Sequence, residues 1–274
     1  MRLFAISDLH VGHAGNRALD QLGDHRDDWL IIAGDVGETA AHLRFALAYA
    51  VAQFARVFWV PGNHELWTAN ADDARGVAKY EALVACCRAL GVVTPEDPYV
   101  AWPDRSARLV IAPLFLLYDY TFRPDDVAEA DALAWAAETG LVCADEELLH
   151  PDPYPTRSAW CHARVDATAA RLAALPADVD TILVNHFPLR RDLAVLPAVP
   201  RFSIWCGTRR TEDWHLRYRA RVVVSGHLHI RSTRHRDGVR FEEVSLGYPR
   251  HWDRARGMAA YLRQIWPPPD ARDE

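Results

Sequence analysis

The sequence contains no apolar run approaching the roughly 18 residues that a membrane helix needs. A helical membrane span is therefore not expected. It also lacks a basic excess. Its 31 Lys and Arg face 37 Asp and Glu, for a formal net charge of −6. Broad, sequence-independent nucleic-acid binding normally shows a basic footprint, which counts against that class. A nucleotide or oligonucleotide held in a local pocket stays open. The stretch Met1 to Asp8 reaches charge too early for the apolar region and cleavage site of a signal peptide, so the expected location is the cytoplasm. The five cysteines (Cys86, Cys87, Cys143, Cys161 and Cys206) are odd in number and show no paired metal-binding spacing. Reduced thiols packed as small apolar groups are expected. There is no internal repeat and no convincing linker. What is present is an ordinary globular balance, half hydrophobic and a quarter charged, over 274 residues. That length suits one large domain with a substantial core. We assign it to residues 1–266, with 267–274, which begins Pro267-Pro268-Pro269, as a frayed tail.

Strand and helix signals alternate in the first third. Short apolar runs at 2–7, 29–33 and 57–60 read as strands. Between the last two, 39–54 has apolar residues at helical spacing, with Thr39 as its N-cap. A further helix is expected over 71–90, stopping at Gly91. This order implies right-handed crossovers and a largely parallel sheet. Further on, 108–112, 181–185, 222–225, 230–235 and 240–245 read as strands, with Asp237-Gly238 as a hairpin turn. Helices are expected over 125–138 and 158–175. The stretch 113–156 is dense in acids, aromatics and prolines.

Five short motifs fall where an expected strand gives way to a loop: Asp8-Leu9-His10, Gly34-Asp35, Gly62-Asn63-His64-Glu65, Asn185-His186 and Gly226-His227-Leu228-His229. In open α/β sheets ligands collect at the carboxyl ends of strands, so such positions can converge. Carboxylate and imidazole suit first-row transition metals. An aspartate can bridge two ions and offset their repulsion. The glycines before Asp35, Asn63 and His227 let the chain turn sharply without a side chain blocking a cavity. Any one motif is common by chance; five in this order at strand ends are not.

In that order the motifs resemble the calcineurin-like metallophosphoesterase superfamily, over about four-fifths of the chain. The resemblance implies an α/β (α+β) fold, a four-layer α-β-β-α sandwich with two mixed β-sheets. It implies that Asp8, His10 and His229 hold one metal, that Asn63, His186 and His227 hold the other, and that Asp35 bridges them. The metals are expected from manganese, iron and zinc, divalent or mixed-valence. His64 matches the family's catalytic histidine. Two ions roughly 3.5–4 Å apart lower the pKa of a bound water and clamp the phosphoryl oxygens. The hydroxide so formed attacks phosphorus while His64 assists the leaving group. Glu65 and Asn185 read as supports that orient their neighbours.

Phosphate recognition usually needs cations besides the metals. The pairs Arg190-Arg191 and Arg209-Arg210 are candidates, with Tyr118, Tyr120 and Trp205 as an aromatic wall and His13 in an outer or surface role. The segments 115–124, 205–214 and 244–250 resemble an actinobacterial subgroup of phosphopantetheinyl hydrolases, which remove the prosthetic arm from acyl carrier proteins. An acyl carrier protein is acidic, so these four arginines are expected to dock it. Phosphodiester hydrolysis is the leading reading. The alternatives are a phosphomonoesterase or nuclease of the same fold and, from another class, a metal-free scaffold that binds partner proteins. A scaffold has no need for Asp8, Asp35, His64 and three late histidines.

Overall fold

The computed structural model describes residues 1–70, 73–104 and 108–268. Ten strands build two sheets. The first contains β1 (Leu3–Ile6), β2 (His25–Ile32) and β3 (Phe54–Trp59), in parallel, and is closed on the β1 side by antiparallel β10 (Arg263–Trp266). The second runs in the order β4 (Val100–Ala101), β5 (Leu109–Pro113), β6 (Asp180–Val184), β7 (Ala220–Ser225), β9 (Val239–Glu243), β8 (Ser232–Arg236). Its central neighbours are parallel and its two edge pairs antiparallel. The helices are α1 (Ala40–Gln53), α2 (Asn63–Leu66), α3 (Gly76–Ala89), α4 (Ala132–Ala137), α5 (Asp145–Leu148), α6 (Arg157–Ala173) and α7 (Trp214–Arg217).

The strands of the first sheet are apolar on both faces because both are covered. Leu3, Ala5, Trp29, Ile31 and Phe58 pack against Ile111, Ile182, Val184, Val222 and Val224 of the other sheet. Their alternate neighbours Phe4, Ile6, Leu30, Ile32 and Trp59 share a second cluster with Leu43 and Leu47 of α1 and Leu83 and Cys87 of α3. Period-two alternation thus sorts each strand between two layers, giving the expected four-layer α-β-β-α sandwich with two mixed sheets. The sheets touch at a bridge between Ser7 and Ser245, where the Ser7 N–H donates to the Val244 carbonyl (3.2 Å) and the Leu246 N–H to the Ser7 carbonyl (2.8 Å). All five thiols are free and four are buried. Among the described residues no helix is long and apolar enough to cross a membrane.

Local readings held where the signal was local. The Thr39 hydroxyl caps α1 by accepting from the His42 N–H (3.1 Å). Asp237 (φ 53°) and Gly238 (φ 80°) form the two-residue hairpin turn between β8 and β9. Other boundaries moved. The helix expected over 71–90 starts at Gly76, and residues 71–72 lie outside the described residues. The one expected over 125–138 contracts to α4 and a preceding 3-10 turn, and in the irregular stretch before them the Arg123 guanidinium donates to the Val127 carbonyl (2.8 Å). Strands β4 and β10 had no counterpart in the sequence reading. Of the expected tail, 269–274 lie outside the described residues.

Candidate dinuclear metal site

Each motif begins within three residues of the carboxyl end of a parallel strand: Asp8 after β1, Asp35 after β2, Asn63 after β3, His186 after β6, and His227 and His229 after β7. Because the two sheets meet at Ser7 and Ser245, these ends face one space. The ligand atoms of Asp8, His10 and His229 lie within 4.8 Å of one another, as do those of Asp35, His186 and His227 and those of His10, Asp35 and His64. Asp35 belongs to two of the three groups, the placement a shared carboxylate requires.

Several polar atoms of the site have no hydrogen-bond partner. Asn63 Oδ1, His186 Nε2 and His227 Nε2 are buried without one. A buried unsatisfied polar atom is unfavourable by about 1–3 kcal/mol, so three together call for a cation. His10 Nε2 and His229 Nε2 face each other at 3.1 Å, and His229 Nε2 lies 3.0 Å from Asp8 Oδ1. His186 Nε2 is 3.4 Å from Asp35 Oδ2. Imidazole and carboxylate donors at these spacings fit a pair of divalent ions.

The remaining atoms of these side chains are tied back. Asp8 Oδ2 accepts from the Ser7 hydroxyl (2.6 Å), the Ser245 hydroxyl (2.8 Å) and the His227 N–H (3.0 Å), which leaves Oδ1 toward His229. His186 Nδ1 donates to the Ala33 carbonyl (2.8 Å), leaving Nε2 as the free ligand atom. Glu65 holds two loops together. It accepts from the N–H groups of Asp35 (2.9 Å), Val36 (2.9 Å) and Gly62 (3.0 Å). Asn185 accepts from the Leu116 N–H (3.0 Å) and donates to the Phe187 carbonyl (2.9 Å). Both side chains thus support neighbours, as the sequence suggested.

Backbone strain concentrates here. Asp8, His10, Asp35, His227 and His229 all have φ between 42° and 72°, a left-handed conformation that disfavours side chains by about 1–2 kcal/mol. The glycine reading needs a correction. Only Gly34 adopts the positive φ (89°) that a sharp turn explains; Gly62 has φ −95°. At Gly62 and Gly226 the requirement is room: a Cβ would lie 2.0 Å from Asp35 Oδ1 and 2.4 Å from Asp8 Oδ2, respectively.

Burial works against charge on His10 and His227 and draws them down to about 4 and about 3, so both rings are neutral and able to ligate. Burial also opposes charge on His186, but Asp35 outweighs it and raises the ring to about 10. Asp8 and Asp35 are pushed up by burial yet end below the ordinary carboxyl range because His229 and His186, respectively, stabilise their charge. The proton that Asp35 favours on His186 is one that a metal ion at Nε2 would displace. His64 lies beside this set. Its Nε2 is 3.8 Å from Asp35 Oδ2 and its Nδ1 is 3.4 Å from Glu38 Oε1. Burial lowers its affinity for a proton, but Asp35 and Glu38 raise it by more.

Sequence reading missed Asp145. It is fully buried, and its Oδ1 accepts from Asn63 Nδ2 (2.9 Å) and Trp67 Nε1 (2.6 Å). The first bond fixes the Asn63 amide with its oxygen inward. We expect Asp145→Ala to weaken metal binding about 10–100-fold, as loss of such supports does elsewhere, measured by metal titration of stripped protein. Tyr248 was also missed; its ring stacks on His10 at 4.4 Å.

The proposed substrate residues lie elsewhere. A cavity of about 680 Å³ contains Asp35, Asn63, His64, His227 and His229, but none of the five residues chosen from the sequence lines it. Arg190 pairs with Asp192 (2.8 Å) and Asp237 (3.5 Å), Arg191 with Asp125 (3.6 Å), Arg209 with Asp125, and Arg210 with Asp166 (2.6 Å). Their charge is largely answered within the chain. Tyr118 and Trp205 are buried, and Tyr120 donates to Glu146 (2.9 Å), so they pack the core and form no wall of the cavity. His13 is exposed, its ring 5.3 Å from that of Tyr248. The one arginine lining the cavity among the described residues is Arg250, exposed and stacked on Tyr248 at 5.0 Å.

The calcineurin-like phosphoesterase family profile matches residues 1–231. The chain belongs to the calcineurin-like phosphoesterase family. It is 52% identical over 272 residues to the acyl-carrier-protein phosphodiesterase PptH of Mycobacterium tuberculosis, covering 97% of this chain and 84% of that protein. The crystal structure of the phosphopantetheinyl hydrolase PptH from Mycobacterium tuberculosis matches with a TM-score of 0.92 at 51% identity, covering 98% and 96% of the two chains. This calcineurin-like phosphoesterase is thus a metal-dependent phosphoric ester hydrolase, as its five motifs indicated. The family's dinuclear centre fits the donor set described above.

Proposed function

We propose that this protein cleaves the phosphodiester linking phosphopantetheine to a serine of acyl carrier protein. The observation that carries this reading is 52% identity, over 97% of the chain, to an enzyme named for acyl-carrier-protein phosphodiester hydrolysis. In this reading Asp8, His10 and His229 would hold one metal ion, Asn63, His186 and His227 would hold the second, and Asp35 would serve both. Manganese, iron and zinc suit such nitrogen and oxygen donors. When bound, two such ions supply Lewis-acid charge and make water a nucleophile near neutral pH. The chain's own residues do the rest. Asp8 and His186 are locked in ligand geometry by Ser7, Ser245 and the Ala33 carbonyl. His64, held between Asp35 and Glu38, donates a proton to the departing serine oxygen. Arg250 faces the acidic carrier from the cavity rim, the role first sought in Arg190, Arg191, Arg209 and Arg210.

The direct test incubates manganese-loaded protein with holo-acyl carrier protein and follows its mass. Loss of the phosphopantetheine arm is expected; an unchanged mass would overturn the substrate. A comparison of bis(p-nitrophenyl) phosphate with p-nitrophenyl phosphate separates diesterase from monoesterase. We expect Arg250→Ala to raise KM for the carrier protein about tenfold at low salt and less at high salt. Its turnover of bis(p-nitrophenyl) phosphate should be unchanged.

A further inference from the structure

The cavity that holds the metal-site residues is walled largely by carbon. Leu196, Val199, Phe202, Leu228 and Ile230 line it together with Asp35, Asn63 and His64. A phosphoesterase that recognised only a phosphate group would have no use for such a wall. Exposed large aliphatics gather at the same place: Val142 (76% exposed), Val195 (58%), Val199 (40%) and Ile230 (40%) lie in or next to the segments that form it. They are four of the eight large hydrophobic side chains exposed among the described residues. Apolar groups gathered at one concave site mark a binding surface.

The wall is built in advance. Residues 193–205 contain Pro197 and Pro200 and run through short 3-10 turns. Their inner side chains, Ala194, Leu196 and Phe202, pack with Phe122, Cys206 and Leu228 in a separate cluster. Trp205 anchors the segment by donating to Glu146 (2.7 Å), and Ser203 by donating to the Phe122 carbonyl (3.3 Å). The Phe202 ring stacks on His227 at 5.8 Å and 29°. A group lying against Phe202 therefore lies beside His227 of the candidate metal set. Only one arginine lines the cavity among the described residues, which suits neither a second phosphate nor a nucleic-acid backbone.

We propose that this wall is a subsite for the pantetheine arm, so that the enzyme reads the arm as well as the diester. The inference rests on the phosphodiesterase reading above. Next to its phosphate the arm carries a quaternary carbon with two methyl groups, a compact apolar unit that matches aliphatic side chains adjoining the metal site. In the reaction water adds to phosphorus, the bond from phosphorus to the serine oxygen breaks, and that oxygen takes a proton. Phosphopantetheine and the free serine hydroxyl are the products. The arm stays on phosphorus, seated on Leu196, Val199, Phe202, Leu228 and Ile230.

The test uses the manganese-loaded full chain turning over bis(p-nitrophenyl) phosphate, with 4′-phosphopantetheine or ethyl phosphate as competitor. Phosphopantetheine should inhibit at about tenfold lower concentration or better, the effect of burying a few methyl-bearing groups. The double variant Val199→Ser/Ile230→Ser, at two partly exposed sites, is read by the ratio of its inhibition by the two competitors, which does not depend on its own rate on bis(p-nitrophenyl) phosphate. It should lose most of the preference for phosphopantetheine. Equal inhibition of the wild-type protein by the two competitors would overturn the subsite, whatever the variant does. Strong phosphopantetheine preference with no cleavage of holo-acyl carrier protein would support the subsite and defeat only the carrier reading.

Discussion

Asp35→Asn is expected to release most of the bound metal and abolish nearly all activity. The carboxylate is buried, contacts His186 at 3.4 Å and His64 at 3.8 Å, and accepts the His64 N–H at 2.9 Å. An amide of the same shape keeps the packing but removes the charge that screens two cations from each other. It also turns one oxygen into a donor aimed at the imidazoles. The loss in kcat/KM should exceed about a hundredfold, the upper end of what an outer support of a metal ligand is worth. Elemental analysis beside bis(p-nitrophenyl) phosphate turnover measures both effects. A variant with two metals per chain and ordinary turnover would remove Asp35 from the shared position.

His64→Ala should behave in the opposite way toward metal. Its ring packs on Trp67 with centroids 3.6 Å apart and faces Glu38, so truncation leaves the candidate metal ligands in place. Metal content should be unchanged while kcat falls about 10²–10⁴-fold, the usual contribution of a positioned proton donor. The deficit should be larger for alkyl leaving groups, which need the proton, than for p-nitrophenolate, which does not. Equal deficits would mean that His64 acts by charge alone.

The candidate metal-site residues stood out in the sequence because their chemistry and position are both local. A carboxylate or imidazole just after a short apolar run announces itself, and five such places in one order narrow the answer to a superfamily. Asp145 was not legible. Its task exists only once the Asn63 amide, 82 residues earlier, has been placed against it. The pairing of the arginines was hidden for a related reason. Charge can be read from a sequence, but its neutralisation by distant residues cannot, and Asp125, Asp166 and Asp237 reach them across the fold. The apolar wall escaped because residues 193–205 follow neither a period of 2 nor one of 3.6. Strand β10 offers four residues with only one fully buried side chain, too little pattern to read.

That last strand bears on how the enzyme comes to life. Leu3, Phe4 and Ala5 take their outer pairing from residues 263–266, and Asp8 takes a hydroxyl from Ser245. A chain still emerging from the ribosome has the first cluster of histidines and aspartates long before either partner exists. The geometry of the site therefore depends on residues 237 positions apart in the chain, and it forms only as the two sheets close together.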